Sequence, residues 1–168
     1  MKTRVIQDEP EPAGPTIDRA APVIASGETE IAAARAVVWD VLSRIEEWPS
    51  WNPDVRSVSI DGGLAEGSDF RWQAGPRTIT STLQQVEPPR RLAWSGTTFG
   101  IDAMHVYVLD ARDGTTLVRT EESYDGLIAR LFRRRLQKTL DGALASGLRH
   151  LKAEAERRTT HLAAERRS

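Results

Sequence analysis

The chain has 168 residues, 39% hydrophobic and 28% charged, with a net charge of −1; this suits one domain with a sizeable core and gives no global pull toward nucleic acid or an anionic membrane. It contains no cysteine, which excludes disulfides, thiolate chemistry and cysteine metal sites. No apolar run approaches the roughly 20 residues of a membrane span and the first residues lack a signal core, so stable membrane insertion is not expected and a cytoplasmic location follows by default.

Residues 1–21 carry Pro10, Pro12 and Pro15 among Asp8, Glu9 and Glu11, a composition that predicts a disordered tail. From Pro22 to Ile31 the sequence predicts a first strand, with Gly27 a candidate bulge. Val38, Val41, Leu42 and Ile45 have helical spacing over Ala34 to Arg44, without a capping side chain at the start. A short helix is expected before Pro49, and EEWPSWNPD then reads as a rigid loop that carries the bulky Trp48 and Trp51.

Beyond Asp54 the period changes to two. Strands are predicted at Asp54–Asp61, Ser68–Ala74, Arg77–Glu87, Arg90–Gly96, Ile101–Asp110 and Thr115–Tyr124, separated by Gly62-Gly63, Gly75-Pro76, Pro88-Pro89, a Gly96 to Gly100 link and Asp113-Gly114. Connections this short join antiparallel neighbours, so the strands form a meander, with the first strand left to pair at an edge. Alternation sends Ile101, Ala103, His105, Tyr107 and Leu109 to one face, with Val118, Thr120, Glu122 and Tyr124 from the last strand. Phe70 and Trp72, then Leu92 and Trp94, are the matching pairs on earlier strands.

The final element runs from Leu127 to about Arg158 as one amphipathic helix. Its apolar stripe is Phe132, Leu136, Leu140, Ala143, Leu144, Gly147 and Leu151, and residues 159–168 are expected to fray as a C-terminal tail. Asp125 is placed to accept from first-turn amides, and Glu154 with Arg158 forms a favourable i,i+4 pair. Gly142 and Gly147 each cost about 1 kcal/mol against alanine in a helix interior. Two readings account for them: close approach of another backbone, or room left open beneath the helix for a ligand.

Several motifs carry a resemblance. Val38-Trp39-Asp40-Val41-Leu42 is followed by Trp48-Pro49-x-Trp51-Asn52-Pro53, then by Pro88-Pro89-Arg90-Arg91-Leu92-Ala93-Trp94. Further on come Asp113-Gly114-Thr115-Thr116-Leu117-Val118 and Glu121 or Glu122 shortly before Gly126. Over roughly residues 22–155 the chain resembles the START-like (SRPBCC) superfamily, in its polyketide cyclase/dehydrase-like branch. The resemblance implies an α+β helix-grip (Bet v 1-like) fold: a curved seven-stranded antiparallel sheet around a long C-terminal helix, with two short helices after strand 1. The ligand-binding domain would span residues 22–158. The superfamily is similar to lipid carriers, hormone receptors and cyclases, so an elongated apolar cavity under the helix is implied. An empty apolar cavity of about 300 Å³ would cost something like 7 kcal/mol, so a real one should be wetted by polar groups or occupied.

The expected cavity wall comprises Trp51, Phe70, Trp72, Trp94, Ala103 and Leu140, with Ala143 and Gly147 supplying space and His105, Tyr107, Thr120 and Glu122 supplying polar tips. The principal expectation is binding of a small hydrophobic or aromatic molecule, lipid-like or polyketide-like. A second is an aromatase/cyclase or dehydratase in which His105 and Glu122 form an acid–base pair and Tyr107 orients the substrate. A third is a chaperone-like groove for a protein partner. The run Arg130, Arg133, Arg134, Arg135 and Lys138 reads either as a solvated helix face or as a phosphate-facing patch; it lacks interleaved stacking aromatics, so nucleic acid is not an expected partner. His105, His150 and His161 have no zinc-ligand spacing and no phosphate-binding or nucleophile-elbow motif is present, so neither metal nor cofactor is expected.

Overall fold

A computed structural model describes residues 13–165. Strand β1 (Val23–Ile31) leads into helix α1 (Arg35–Ser43), a 3-10 turn (Ile45–Glu47) and the one-turn helix α2 (Trp48–Trp51). Six strands follow: β2 (Val55–Ile60), β3 (Asp69–Ala74), β4 (Arg77–Glu87), β5 (Arg91–Thr98), β6 (Ile101–Arg112) and β7 (Thr115–Asp125). The chain then forms α3 (Leu127–Leu131) and α4 (Arg133–Glu165). All seven strands form one antiparallel sheet in the order β1-β7-β6-β5-β4-β3-β2, so the meander closes by laying β1 along β7. This is the helix-grip arrangement.

The elements differ from the sequence reading at a few informative places. Gly27 is not a bulge, since the β1–β7 register runs without a shift from Val23↔Tyr124 to Ile31↔Thr116. A Cβ there would stand 2.9 Å from Leu148 Cδ1 of α4, so the leucine tip fills the space that the missing side chain leaves. The loop expected at EEWPSWNPD is helical through Trp51, with Pro49 in the first turn of α2, where a missing N–H costs nothing, and only Asn52 to Asp54 remain irregular. Gly96 lies inside β5, and the β5–β6 connection shrinks to Phe99-Gly100. In β4 the pairing shifts between Leu83 and Gln85. That bulge keeps both Leu83 and Val86 on the helix side while Gln85 turns outward.

The terminal helix is two helices. The chain leaves helical geometry at Phe132 (φ −109°, ψ 27°), and Phe132 is 49% exposed rather than part of the buried stripe. In α4 that stripe is Leu136, Leu140, Leu144, Leu148, Leu151 and Ala155, while Ala143 and Gly147 lie beside it. Asp125 accepts the Gly126 N–H and pairs with Arg130, which holds its carboxyl below the usual range; Gly126, the residue before α3, provides no side-chain cap. At the far end Arg158 reaches Glu154 (2.7 Å), Asp40 (3.1 Å) and Glu47 (2.9 Å), tying α4 to α1 and the 3-10 turn. The helix continues to Glu165 through part of the expected fraying tail.

Residues 1–12 of the expected N-terminal tail lie outside the described residues, but residues 13–21 form a strap across the outer face of the sheet. Ile17, 3% exposed, packs with Ala93, Val106 and Val108, the side chains that alternate with the inward ones of β5 and β6. The strap is also held through its backbone: Arg91 donates to Pro15 O (2.6 Å), Gln85 to Ala13 O (3.0 Å), and Asp18 N–H to Ser123 Oγ (3.1 Å).

Two apolar clusters lie between sheet and helices. One gathers α1, Trp48, Phe70, Leu83, Trp94 and Leu151; the other joins Val23, Ile101 and Ala129 to Leu136, Leu140 and Leu144.

Candidate functional site: a cavity with a buried polar base

Between the two clusters lies a cavity of about 830 Å³ that draws its walls from both. Its existence follows from the small residues of α4. A Cβ on Gly142 would meet nothing within 4 Å, and one on Gly147 would meet only the Tyr107 hydroxyl oxygen at 3.6 Å. These glycines therefore leave open space, and close backbone packing is the role of Gly126 instead, where a Cβ would run into the Gly100 carbonyl.

The aromatic wall is built around Trp48, which sits edge-on to Phe70 (5.8 Å) and Trp72 (6.1 Å) and tilted against Trp94 (5.5 Å). Its indole N–H donates to Leu42 O at 2.9 Å. Trp48 is thus buried and also lines the cavity. Trp72 Nε1 donates to Ser81 Oγ (3.1 Å), whereas Trp51 Nε1 is buried without a partner among the described residues.

The polar base comes from register. Cross-strand pairing sets His105 opposite both Trp94 and Glu122, and Tyr107 opposite Thr120. His105 Nδ1 lies 3.1 Å from Glu122 Oε2 and its Nε2 lies 2.8 Å from Thr120 Oγ1. The imidazole, Tyr107 and Trp94 form a three-ring cluster, with the imidazole stacked on Tyr107 (4.8 Å) and tilted against Trp94 (4.5 Å), and Trp94 stacked on Tyr107 (5.7 Å).

Burial lowers the His105 pKa to about 3 and raises that of Glu122 to about 8, because a charged form here would lose its hydration. Burial likewise raises Tyr107 and Tyr124 above the usual phenol range. At neutral pH histidine and carboxylic acid are both uncharged, and one proton lies between them. With that proton on Glu122 Oε2, Nδ1 accepts, and Nε2–H donates to Thr120. With it on Nδ1, the ring donates to Oε2, Thr120 donates to Nε2, and the carboxyl proton resides on Oε1. Both ring nitrogens are thereby engaged by protein. Glu122 Oε1 has no protein partner among the described residues, and Glu122 and Tyr107 both line the cavity.

Of the residues expected to form the site, Trp51, Trp72, Trp94, Ala103, His105, Tyr107, Glu122, Ala143 and Gly147 line this cavity. Phe70 and Leu140 are in the packed core behind it, and Thr120 is buried behind the His105 ring. Sequence reasoning left out Tyr124, Arg77, Arg135, Thr139 and Ser146, which also line it. Tyr124 shares the alternating face of Glu122 and was within reach of the pattern; the others depend on hairpin reach and helix rotation. Among the described residues no three His, Asp or Glu side chains gather as a metal site, and no helix is long and apolar enough to cross a membrane.

The sequence matches the family described as "Polyketide cyclase / dehydrase and lipid transport" over residues 22–156. No functionally curated protein matches it. Solved structures are similar in fold: a hypothetical protein from Helicobacter pylori (TM-score 0.74, 16% identity, 83% of this chain and 91% of that one), and a START superfamily protein from Mycobacterium smegmatis (0.69, 13%, 80% and 97%). An aromatase/cyclase from Streptomyces sp. R1128 is comparable (TM-score 0.70, 18% identity, 81% and 94% coverage).

Proposed function

The chain belongs to the polyketide cyclase / dehydrase and lipid transport family, and from that premise we propose that it binds a small hydrophobic or aromatic molecule between the sheet and α4. The observation that carries this reading is a cavity of about 830 Å³ with aromatic walls and one polar base, inside the roughly 300–1,000 Å³ range of small-molecule sites. Trp51, Trp72 and Trp94 offer apolar area, and Glu122 Oε1 with the Tyr107 hydroxyl offers the hydrogen bonds that orient an uncharged oxygen of the ligand. A carboxyl held neutral can donate to a carbonyl or accept from a hydroxyl as its proton moves between Oε1 and Oε2. An anionic group at the same depth would force charge into a desolvated site. Apolar surface turned inward also favours a metabolite-sized occupant over a protein segment.

The contact between His105 and Glu122 supports a second reading, a cyclase or dehydratase in this cavity. Because both imidazole nitrogens are engaged, the group placed to exchange a proton with substrate is Glu122. His105 holds the carboxyl and relays the proton toward Thr120.

Native mass spectrometry of protein prepared gently from a cell extract, followed by identification of what denaturation releases, tests the binding reading. A stoichiometric hydrophobic compound is the expected result. Bare protein, with no thermal shift across a panel of lipids and aromatic polyketides, would count against it. Under the binding reading His105→Ala weakens affinity only; under the enzymatic reading it removes turnover of a compound that still binds.

A further inference from the structure

Among the described residues six large hydrophobic side chains are exposed, and four of them, Phe99, Leu127, Leu131 and Phe132, belong to the β5–β6 tip and the α3–α4 junction. The two regions touch: a Cβ on Gly100 would stand 3.3 Å from Ile128. Leu127 (77% exposed) and Leu131 (69%) are one turn apart on α3, opposite the fully buried Ala129. Phe99, 76% exposed, is the first residue of a two-residue hairpin in which φ is +45° and Gly100 has φ +73°. Positive φ at both positions is the type I′ pattern, which favours Asn, Asp or Gly. A bulky aromatic at that position is strained, yet it makes no core contact that would explain its retention.

The same region is cationic. From Gly126 to Leu140 there are five basic residues and no acid. Arg130 pairs with Asp125, and Arg133 Nε donates to Pro22 O. Among the described residues Arg134, Arg135 and Lys138 have no acidic partner. Phe132 and Arg135 belong both to this patch and to the cavity wall, so the patch borders one end of the cavity.

We propose that the Phe99-Gly100 tip and the α3–α4 junction form a docking surface for an anionic lipid bilayer, seated at the opening of the cavity. A bilayer interface satisfies both halves of the patch, since phosphates pair with the arginines while the phenylalanine and leucines enter the headgroup and acyl boundary. An acidic protein surface would satisfy the charges and leave the apolar side chains exposed. Docked in this way, the opening faces the membrane, and a hydrophobic molecule passes between bilayer and cavity without crossing bulk water. The surface does not depend on what the cavity holds, so vesicle binding and ligand retention are scored independently.

The test is co-sedimentation of the full chain with vesicles of phosphatidylcholine alone and of phosphatidylcholine containing about one third phosphatidylglycerol. Binding to the anionic vesicles only, weakened by salt, is expected. Arg134→Glu with Lys138→Glu should reduce it about tenfold or more. Phe99→Asn should reduce binding while keeping or raising Tm, because asparagine suits the left-handed turn. A purely structural phenylalanine would not separate these two readouts, and Leu131→Ser provides a second apolar probe. Absence of binding to anionic vesicles overturns the proposal. So does binding that survives the charge and apolar substitutions together, or equal binding to polyglutamate that is insensitive to Phe99→Asn and Leu131→Ser, which would point to an acidic protein instead.

Discussion

Glu122 and His105 carry opposite pH signatures that can be read in unfolding. Glu122 has a folded pKa raised from 4.5 to about 8, so its contribution is fully present below the unfolded value and is lost as pH rises toward about 8. His105 has a folded pKa lowered from 6.5 to about 3, so its contribution is present above the unfolded value and is lost as pH falls toward about 3. Between the two unfolded values the slopes oppose each other, and stability should be nearly flat; it should fall on both sides. Glu122→Gln keeps the shape and removes the ionisation. Thermal melts should show the variant about as stable as the parent near about pH 5 and clearly more stable near about pH 9. Equal melting points at both pH values would mean that the carboxyl is not desolvated. Alternation in β6 and β7 was enough to place these side chains on one face, because the period of two is rigid. It could not reveal that Nε2 turns to Thr120, since that depends on rotamer and register together.

At the scale of elements, the glycines separate into two kinds that look alike in sequence. Gly147→Leu projects into open space with the Tyr107 hydroxyl as its nearest neighbour. It should fill part of the cavity, abolish retention of the bound compound and leave Tm equal or higher. Gly126→Ala sets a Cβ against the Gly100 carbonyl at a residue with φ +104°, and should lower stability by about 1–3 kcal/mol in chemical denaturation. If Gly147→Leu unfolds the protein and Gly126→Ala does not, the two roles are reversed. The strands were legible because turn residues separate them. The helix was legible in its stripe of Leu136, Leu140, Leu144 and Leu151, but not in its break at Phe132 or its continuation to Glu165. The one-turn α2 was hidden because two prolines within WPSWNP read as a loop, although Pro49 occupies a position that a helix accepts.

For the molecule as a whole, the strap at residues 13–21 adds a third layer that composition argued against. A segment rich in proline and acid offers little to bury, but one isoleucine over Ala93, Val106 and Val108, with carbonyls accepting from Arg91 and Gln85, is sufficient to order it. Composition averages over such single anchors. Ile17→Ala should cost about 2 kcal/mol or more, seen as a lower denaturation midpoint and as faster proteolysis before Val23. An unchanged midpoint would show that the strap adds no stability. The order of the sheet bears on how the chain is made. Val23 pairs with Tyr124 and Ile31 with Thr116, so the first strand synthesised waits for the last. The β2 to β7 hairpins can close as they leave the ribosome, each by a short loop. Meanwhile β1 has no strand to pair with until β7 has emerged. From the emergence of β1 to that of β7 the nascent chain therefore carries an unpaired apolar strand and an open sheet edge, the interval in which chaperone protection matters most.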